Sequence, residues 1–248
     1  MNLIDDLLTK LPDGIVQDVR IGAFWTAVVV DVAGQRHCGL ASTLREDNHH
    51  HGGGPAVPAA GRLMDYSTRE LAELAHSASP MEAALGIAAI NALLPRHEEL
   101  WTDLNAEEVI VQHGADKRVA LVGHFPFTPR LRQEVGTLWV LEQEPRGEDL
   151  PAELATHVLP EADVIAMTGT TFINHTFEEL MALRRPEALV LVLGPSTPLS
   201  PLLFEHGVHL LSGAVVEDVE AVLRAVSQGA NFRQLHQQGV RLVTMQKV

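Results

Sequence analysis

Residues 163–194 read DVIAMTGTTFINHTFEELMALRRPEALVLVLG, and their pattern decides the fold. Two apolar runs, DVIAMTG and ALVLVLG, flank a stretch at 174–185 with helical spacing. Strands that are apolar throughout, rather than on alternate positions, are buried on both faces, which is the signature of parallel strands joined by a crossover helix. The same alternation extends outward. Upstream lie a helix NAEEVIVQHG (105–114), the strand RVALVG (118–123), a helix around 128–134 and the strand TLWVLE (137–142). Downstream lie VHLLSG (208–213), a helical stretch at 215–227 and GVRLVTMQ (239–246), which is expected to add an edge strand. The fold class is therefore α/β, with a mainly parallel sheet covered on both faces.

The first hundred residues follow a different order. Leu3, Ile4, Leu7, Leu8 and Leu11 have helical spacing, stopped by Pro12 and Gly14. IVQDVRIG, FWTAVVVDV and RHCGLAS are rich in β-branched residues and separated by turn residues, so they read as three antiparallel strands. After a Gly/His/Pro loop at 47–61, Ser67 with Glu70 and Ser79 with Pro80 and Glu82 mark two helix starts. The β-β-β-α-α order, then β/α alternation, predicts an N-terminal α+β domain over 1–100 and a parallel-sheet domain over 101–248, with a linker near 95–104.

Composition narrows the partners. Asp and Glu outnumber Lys and Arg by 32 to 18, with the excess spread along the chain and no basic half. Nucleic-acid binding needs a Lys/Arg patch that releases counterions, so DNA and RNA are excluded as expected partners. The single cysteine, Cys38, leaves no internal disulfide and no multi-cysteine metal site, and inside a strand it reads as core. No apolar run approaches a membrane span. A cytoplasmic protein without a membrane partner is expected, and a homodimer is compatible with the sequence.

In an open parallel sheet the ligand crevice lies beyond the carboxyl ends of the strands. Those ends read Gly123-His124-Phe125-Pro126, Glu142-Gln143-Glu144, Thr168-Gly169-Thr170-Thr171, Gly194-Pro195-Ser196-Thr197 and Ser212-Gly213. Met167–Leu180 is expected to form a polar pocket floor, because unsatisfied N–H groups at a helix start attract an anion or polar ligand. Glu142 and Glu144 follow Gly123 by about 20 residues, near the carboxylate spacing of nucleotide-binding folds, but VGHFPF lacks the three-glycine fingerprint. His49, His50 and His51 precede three glycines; on an extended chain they alternate in direction, so at most two readily share an ion. No HExxH pair or G-x-S-x-G elbow occurs. Asn91, within the apolar GIAAINALL, either caps a neighbouring loop or faces a site at the domain interface.

The runs GLAST, EAALGIAAINALL, VALVGHFPF, EQEPRGEDLP, LPEADVIAMTGTTFINHTFEELM and LGPSTPLSPLLFEHGVHLLSG together resemble the family known as "putative heavy-metal chelation", over nearly the whole chain. The resemblance implies an N-terminal domain like that of enolase and an atypical Rossmann-like second domain, with a site between them. Carried onto this sequence, it implies ligand-binding roles for Gly123, Pro126, Glu144, Thr168, Gly169, Thr170, Asn174, Pro195, Ser196, Thr197 and Ser212, with Thr43 and Asn91 reaching in from the first domain. The expected ligand is a polar or anionic metabolite or a metal chelate, of siderophore-, flavin- or pterin-like type; no cofactor is specified. For catalysis, Glu144 or His124 is the expected acid or base. The alternative expectation is a direct metal-binding or metallochaperone module built on histidines and carboxylates.

Overall fold

The computed structural model describes residues 2–44 and 55–247. Helix α1 (Leu3–Thr9) opens the chain, with the Asn2 side chain accepting the Ile4 N–H as its cap. Strands β1 (Ile15–Ile21), β2 (Trp25–Val32) and β3 (Gln35–Ser42) form an antiparallel sheet in chain order. Helix α2 (Thr68–Glu73) starts with the capping box read from Ser67 and Glu70. Helix α3 (Pro80–Leu93) has Pro80 in its first turn and is buried almost all round.

Both faces of the small sheet are covered. Val28, Val30 and Ala41 join the core around α3, whereas Ala27, Val29, Cys38 and Leu40 pack with Val222 and Val226. That two-sided burial explains why β2 is a continuous apolar run although its neighbours are antiparallel. Gly39 lets α3 approach, since a Cβ there would stand 2.1 Å from the Ala88 carbonyl oxygen.

The second part of the chain contributes β4 (Trp101–Thr102), α4 (Ala106–Gly114), β5 (Arg118–Val122), α5 (Thr128–Glu134), β6 (Thr137–Glu142), β7 (Leu150–Pro151), α6 (Ala155–Val158) and β8 (Val164–Thr168). It continues through α7 (Phe177–Leu183), β9 (Leu189–Leu193), α8 (Leu202–Glu205), β10 (Leu210–Val216), α9 (Val219–Ser227), α10 (Phe232–Gln237) and β11 (Val240–Gln246). The eight strands lie in the order β4-β11-β10-β9-β8-β5-β6-β7, parallel from β10 to β7. The expected mixed α/β architecture with a mainly parallel sheet is what forms.

Four local expectations are corrected. GVRLVTMQ is not the edge: β11 lies antiparallel between β10 and β4, and Trp101–Thr102, inside the expected linker, is the outer strand. Strand β10 runs on to Val216, so Ser212 and Gly213 sit within it and α9 begins only at Val219, capped by Asp218. The helix after Thr168 is also delayed. Gly169–Phe172 forms a tight 3-10 turn, and α7 starts at Phe177, its entry fixed by the buried Phe172 and Phe177 rings at 4.6 Å.

One hydrophobic cluster joins the two sheets, running from Leu3, Leu7 and Ile90 to Met167, Phe172 and Phe177. Polar contacts reinforce it. Ser196 Oγ accepts the Ser42 N–H at 2.9 Å, Leu3 N donates to Glu178 Oε1 at 3.2 Å, and His206 Nε2 pairs with Asp6 Oδ2 at 3.0 Å. Among the described residues no helix is long and apolar enough to cross a membrane.

Candidate functional site

Counted along the parallel sheet, chain order reverses between β5 and β8. The connection after β5 leads one way to β6, and the connection after β8 leads the other way to β9. The loops therefore diverge and leave a crevice beyond the carboxyl ends of β5 and β8. Gly123 and Thr168 form its floor. Gly123 adopts φ +98°, and a Cβ there would stand 3.0 Å from Thr168 Cγ2. Only glycine allows both the backbone angle and this approach.

A cavity of about 480 Å³ opens above the floor, lined by Thr170 and Asn174 and by Leu44, which follows β3. It continues outward into a space of about 580 Å³ that Pro80, Glu144 and Arg146 border. The two share Leu44, His124, Glu142, Gln143 and Asn174, and so form one cleft between the two parts of the chain.

The Thr-rich turn is locally self-satisfied. Thr168 Oγ1 accepts from the Thr170 N–H (3.3 Å) and hydroxyl (3.2 Å), and Thr171 Oγ1 donates to the Thr168 carbonyl at 2.8 Å. The expected array of unsatisfied helix-start N–H groups is thus partly consumed, and the first turn of α7 carries Glu178 and Glu179 instead. Asn174, oriented so that both amide ends are paired, donates to the Thr171 carbonyl at 3.1 Å and accepts from Gln143 Nε2 at 3.3 Å, bridging the crevice walls. His175 holds a left-handed φ of 59° and pairs through Nε2 with the Ser77 carbonyl at 2.9 Å. That strained conformation, uncommon outside glycine, turns the chain from the cleft into α7.

His124 is the most constrained polar group in the cleft. Its backbone N–H donates to Glu142 Oε1 at 2.6 Å, and its Nδ1 lies 2.9 Å from Asp149 Oδ2. Asp149 has only 2% of its side chain exposed and accepts on its other oxygen from Arg132 at 3.0 Å. A carboxylate engaged in this way only accepts, so Nδ1 carries a hydrogen, and in the neutral imidazole Nε2 presents its lone pair. Nε2 has no hydrogen-bond partner among the described residues, and the imidazole side chain is 46% exposed.

The structure separates the sequence candidates. Gly123, His124, Thr168, Thr170 and Asn174 line the cleft, with Glu144 exposed at its outer part. Asn91 and Thr197 line a different, small cavity of about 30 Å³, together with Cys38 and Trp101. Asn91 Oδ1, Trp101 Nε1 and Thr197 Oγ1 are buried there without a partner among the described residues, in a space of about two water molecules. Asn91 Nδ2 donates to the Leu40 carbonyl at 2.9 Å, so this residue joins helix α3 to the sheet. Burial pushes the Cys38 thiol up to about 12.

Other candidates hold the frame. Thr43 Oγ1 bonds Thr26 Oγ1 at 3.0 Å, Ser196 holds Ser42, and Ser212 Oγ pairs with Thr244 Oγ1 at 3.2 Å within the sheet. Gly169 lies against the next loop, where a Cβ would stand 2.6 Å from the Thr197 nitrogen. Pro126 and Pro195 line neither cavity. His49, His50 and His51 lie outside the described residues. Sequence reasoning missed Asp149 and Arg132, and named Gln143 at a strand end without giving it a role. Asp149 sits in the charged run EQEPRGEDLP, where nothing in the spacing separates the one buried carboxylate from its exposed neighbours.

These features define a class: a two-sheet α/β protein with an open crevice at the switch point of its parallel sheet. Family models described as "Putative heavy-metal chelation" match residues 4–94 and 105–245, and the chain belongs to that family. An uncharacterized protein of Methanocaldococcus jannaschii is 26% identical over 230 residues, covering 90% of this chain and 86% of its own. A DUF364-family protein of unknown function from Desulfitobacterium hafniense superposes with TM-score 0.85 at 25% identity, over 99% of this chain and 98% of its own. A second DUF364-family protein of unknown function, from Pyrococcus horikoshii, shares the fold with TM-score 0.82 at 24% identity and the same coverage.

Proposed function

We propose that the cleft between the two sheets binds a small polar organic molecule, and that the second part of the chain acts as a Rossmann-like platform for it. The single observation that carries this reading is the cavity of about 480 Å³ at the switch point, bounded by Gly123, Thr168, Thr170 and Asn174 at the ends of β5 and β8 and by Leu44 just after β3. Its size suits a metabolite, and its wall mixes apolar side chains with a few placed polar groups, the composition typical of ligand pockets.

The lining favours a neutral or positively charged ligand over an anion. Glu142, Glu153 and Glu179 border the inner cavity, and among the described residues neither Lys nor Arg lines it. The outer space adds Arg146, against Glu142, Glu144 and Asp149. Direct chelation of a bare ion by the protein has less support, because no group of three His, Cys, Asp or Glu among the described residues is arranged to hold a metal. Among the described residues of the cleft, His124 Nε2 offers one coordination position rather than a cage. For proton transfer the same histidine is better placed than Glu144, since its tautomer is held by Asp149 while Glu144 stands exposed at the rim.

The test is a pair of substitutions. Thr170→Ala and Asn174→Ala should each lose most of any organic adduct seen by native mass spectrometry on the wild-type protein from its own cells. An adduct retained at full occupancy in both variants rules the cleft out.

A further inference from the structure

We infer that a second site, apart from the cleft, lies at the junction of the two parts of the chain and takes ordered water: one or two molecules that link Asn91 of α3, Trp101 of β4 and Thr197 of the loop after β9. The inference does not rest on the cleft reading, and the small cavity shares no lining residue with the cleft.

Three observations carry it. The first is a convergence of buried polar atoms. Asn91 Oδ1, Trp101 Nε1 and Thr197 Oγ1 are shielded from solvent and unpaired among the described residues, and all three residues line one cavity. They stand far apart in the chain, so only folding brings them together. Burying one such atom without a partner is costly, and burying three around one space points to a partner they share.

The second is the chemistry of the three atoms. The Asn91 amide nitrogen is engaged with the Leu40 carbonyl at 2.9 Å, so the acceptor end of this side chain is the one left over. An indole N–H only donates, and a threonine hydroxyl does both. Trp101 Nε1 and Asn91 Oδ1 are thus complementary, yet they are not bonded to each other. Water accepts from the indole, donates to the amide oxygen and pairs with the hydroxyl in either sense.

The third is size. A space of about 30 Å³ admits about two waters and no metabolite. Cavities that stay dry have apolar walls, whereas this one presents a donor, an acceptor and a hydroxyl.

The setting gives the water its role. Cys38 of β3, Ala214 and Val215 of β10, and Leu94 and Pro95 of the connecting segment complete the wall. Arg96, the next residue, donates from Nη2 to the Val216 carbonyl at 3.1 Å, tying that segment to β10. The water extends this tie to the last turn of α3 and to the loop after β9. Asn91 and Thr197 therefore serve the joint between the two parts, in place of the metabolite-binding role that the family resemblance implies for them.

The test is a crystal structure of the full chain fine enough to place ordered solvent, joined to urea unfolding of Trp101→Phe, Thr197→Val and the double variant. Density is expected for one or two waters, within about 2.7–3.2 Å of the three polar atoms. Each single variant should raise the unfolding equilibrium constant by about 2- to 10-fold. The double variant should fall short of the product of the two effects by at least about twofold, as for residues in one hydrogen-bonded network.

The inference is overturned if the three atoms pair directly with one another or with residues 45–54, if an organic molecule occupies the space, or if the space holds no ordered solvent. Waters in place with strictly multiplicative variant effects overturn the linking role. The crystallographic result decides on the wild-type protein alone, so a variant that fails to fold does not shelter the inference. None of these outcomes bears on the cleft, which Thr170→Ala and Asn174→Ala judge separately.

Discussion

Gly123→Ala tests the crevice floor directly. Two costs follow from the geometry. Alanine at φ +98° occupies a region that L-residues rarely adopt, costing about 1–3 kcal/mol. The new Cβ would also lie 3.0 Å from Thr168 Cγ2 and 3.2 Å from Thr168 Cβ, so the threonine must shift. A shift of Thr168 loosens the two bonds that its Oγ1 accepts from Thr170, at 3.3 and 3.2 Å, costing about 0.5–1 kcal/mol each. The expected loss of stability is about 2–4 kcal/mol, read as a lower urea midpoint at unchanged slope.

Thr168→Ser separates the two costs. It removes Cγ2 but keeps the hydroxyl, and alone should cost no more than about 1 kcal/mol for a partly exposed methyl group. Combined with Gly123→Ala it should relieve the closer contact, with Cγ2, making the double variant more stable than the sum of the singles by about 1 kcal/mol, while the approach to the Cβ of residue 168 and the backbone cost remain. Gly123→Ala within about 0.5 kcal/mol of wild type, or strict additivity of the pair, refutes the close approach of β5 and β8 that shapes the cleft floor.

Three further predictions concern the frame. Ser196→Ala leaves the Ser42 N–H without its partner at the junction of the two parts, and should lower urea-unfolding stability by about 1–3 kcal/mol. Cys38, buried with its thiol pushed up to about 12, should resist a thiol-specific disulfide reagent at pH 8 in the folded protein and react promptly in denaturant. Burial holds His209 below its ordinary 6.5, reinforced by Lys247 and Arg184, and its Nδ1 accepts the Val190 N–H at 3.1 Å. Below pH 6.5 the unfolded chain takes up this proton before the folded one does, so the stability present above that pH should fall as pH drops toward the depressed folded value. Urea unfolding from pH 7.5 to 5 should show the decline, and His209→Gln should make it shallower.

The fold was legible where burial on both faces leaves an unmistakable trace, as in VALVG, DVIAMTG and ALVLVLG, and where caps are local, as at Ser67 with Glu70. It was less legible where a short element depends on distant partners. Trp101–Thr102 is a strand only because β11 lies beside it, and β11 leaves the edge for the same reason. The delayed start of α7 follows from the packing of Phe172 on Phe177 and the left-handed turn at His175, neither of which periodicity encodes.

The candidate site was legible in outline, because strand ends carry the crevice in any open parallel sheet. Which polar residue faces it was not. Thr197 and Asn91 turn to a separate small cavity, Ser212 lies mid-strand because β10 is longer than expected, and His124 gains its role only through Asp149 and Arg132. A carboxylate and a guanidinium that meet by folding leave no spacing rule in the chain.

The central claim is that the switch-point cleft holds a small organic molecule, and a crystal structure of the protein purified from its own cells, with its copurified adduct, tests it most directly. Electron density for that molecule is expected between Gly123, Thr168 and Leu44, in contact with Asn174 and within reach of His124 Nε2. Density for the adduct elsewhere on the molecule, with the cleft filled only by solvent, would contradict it.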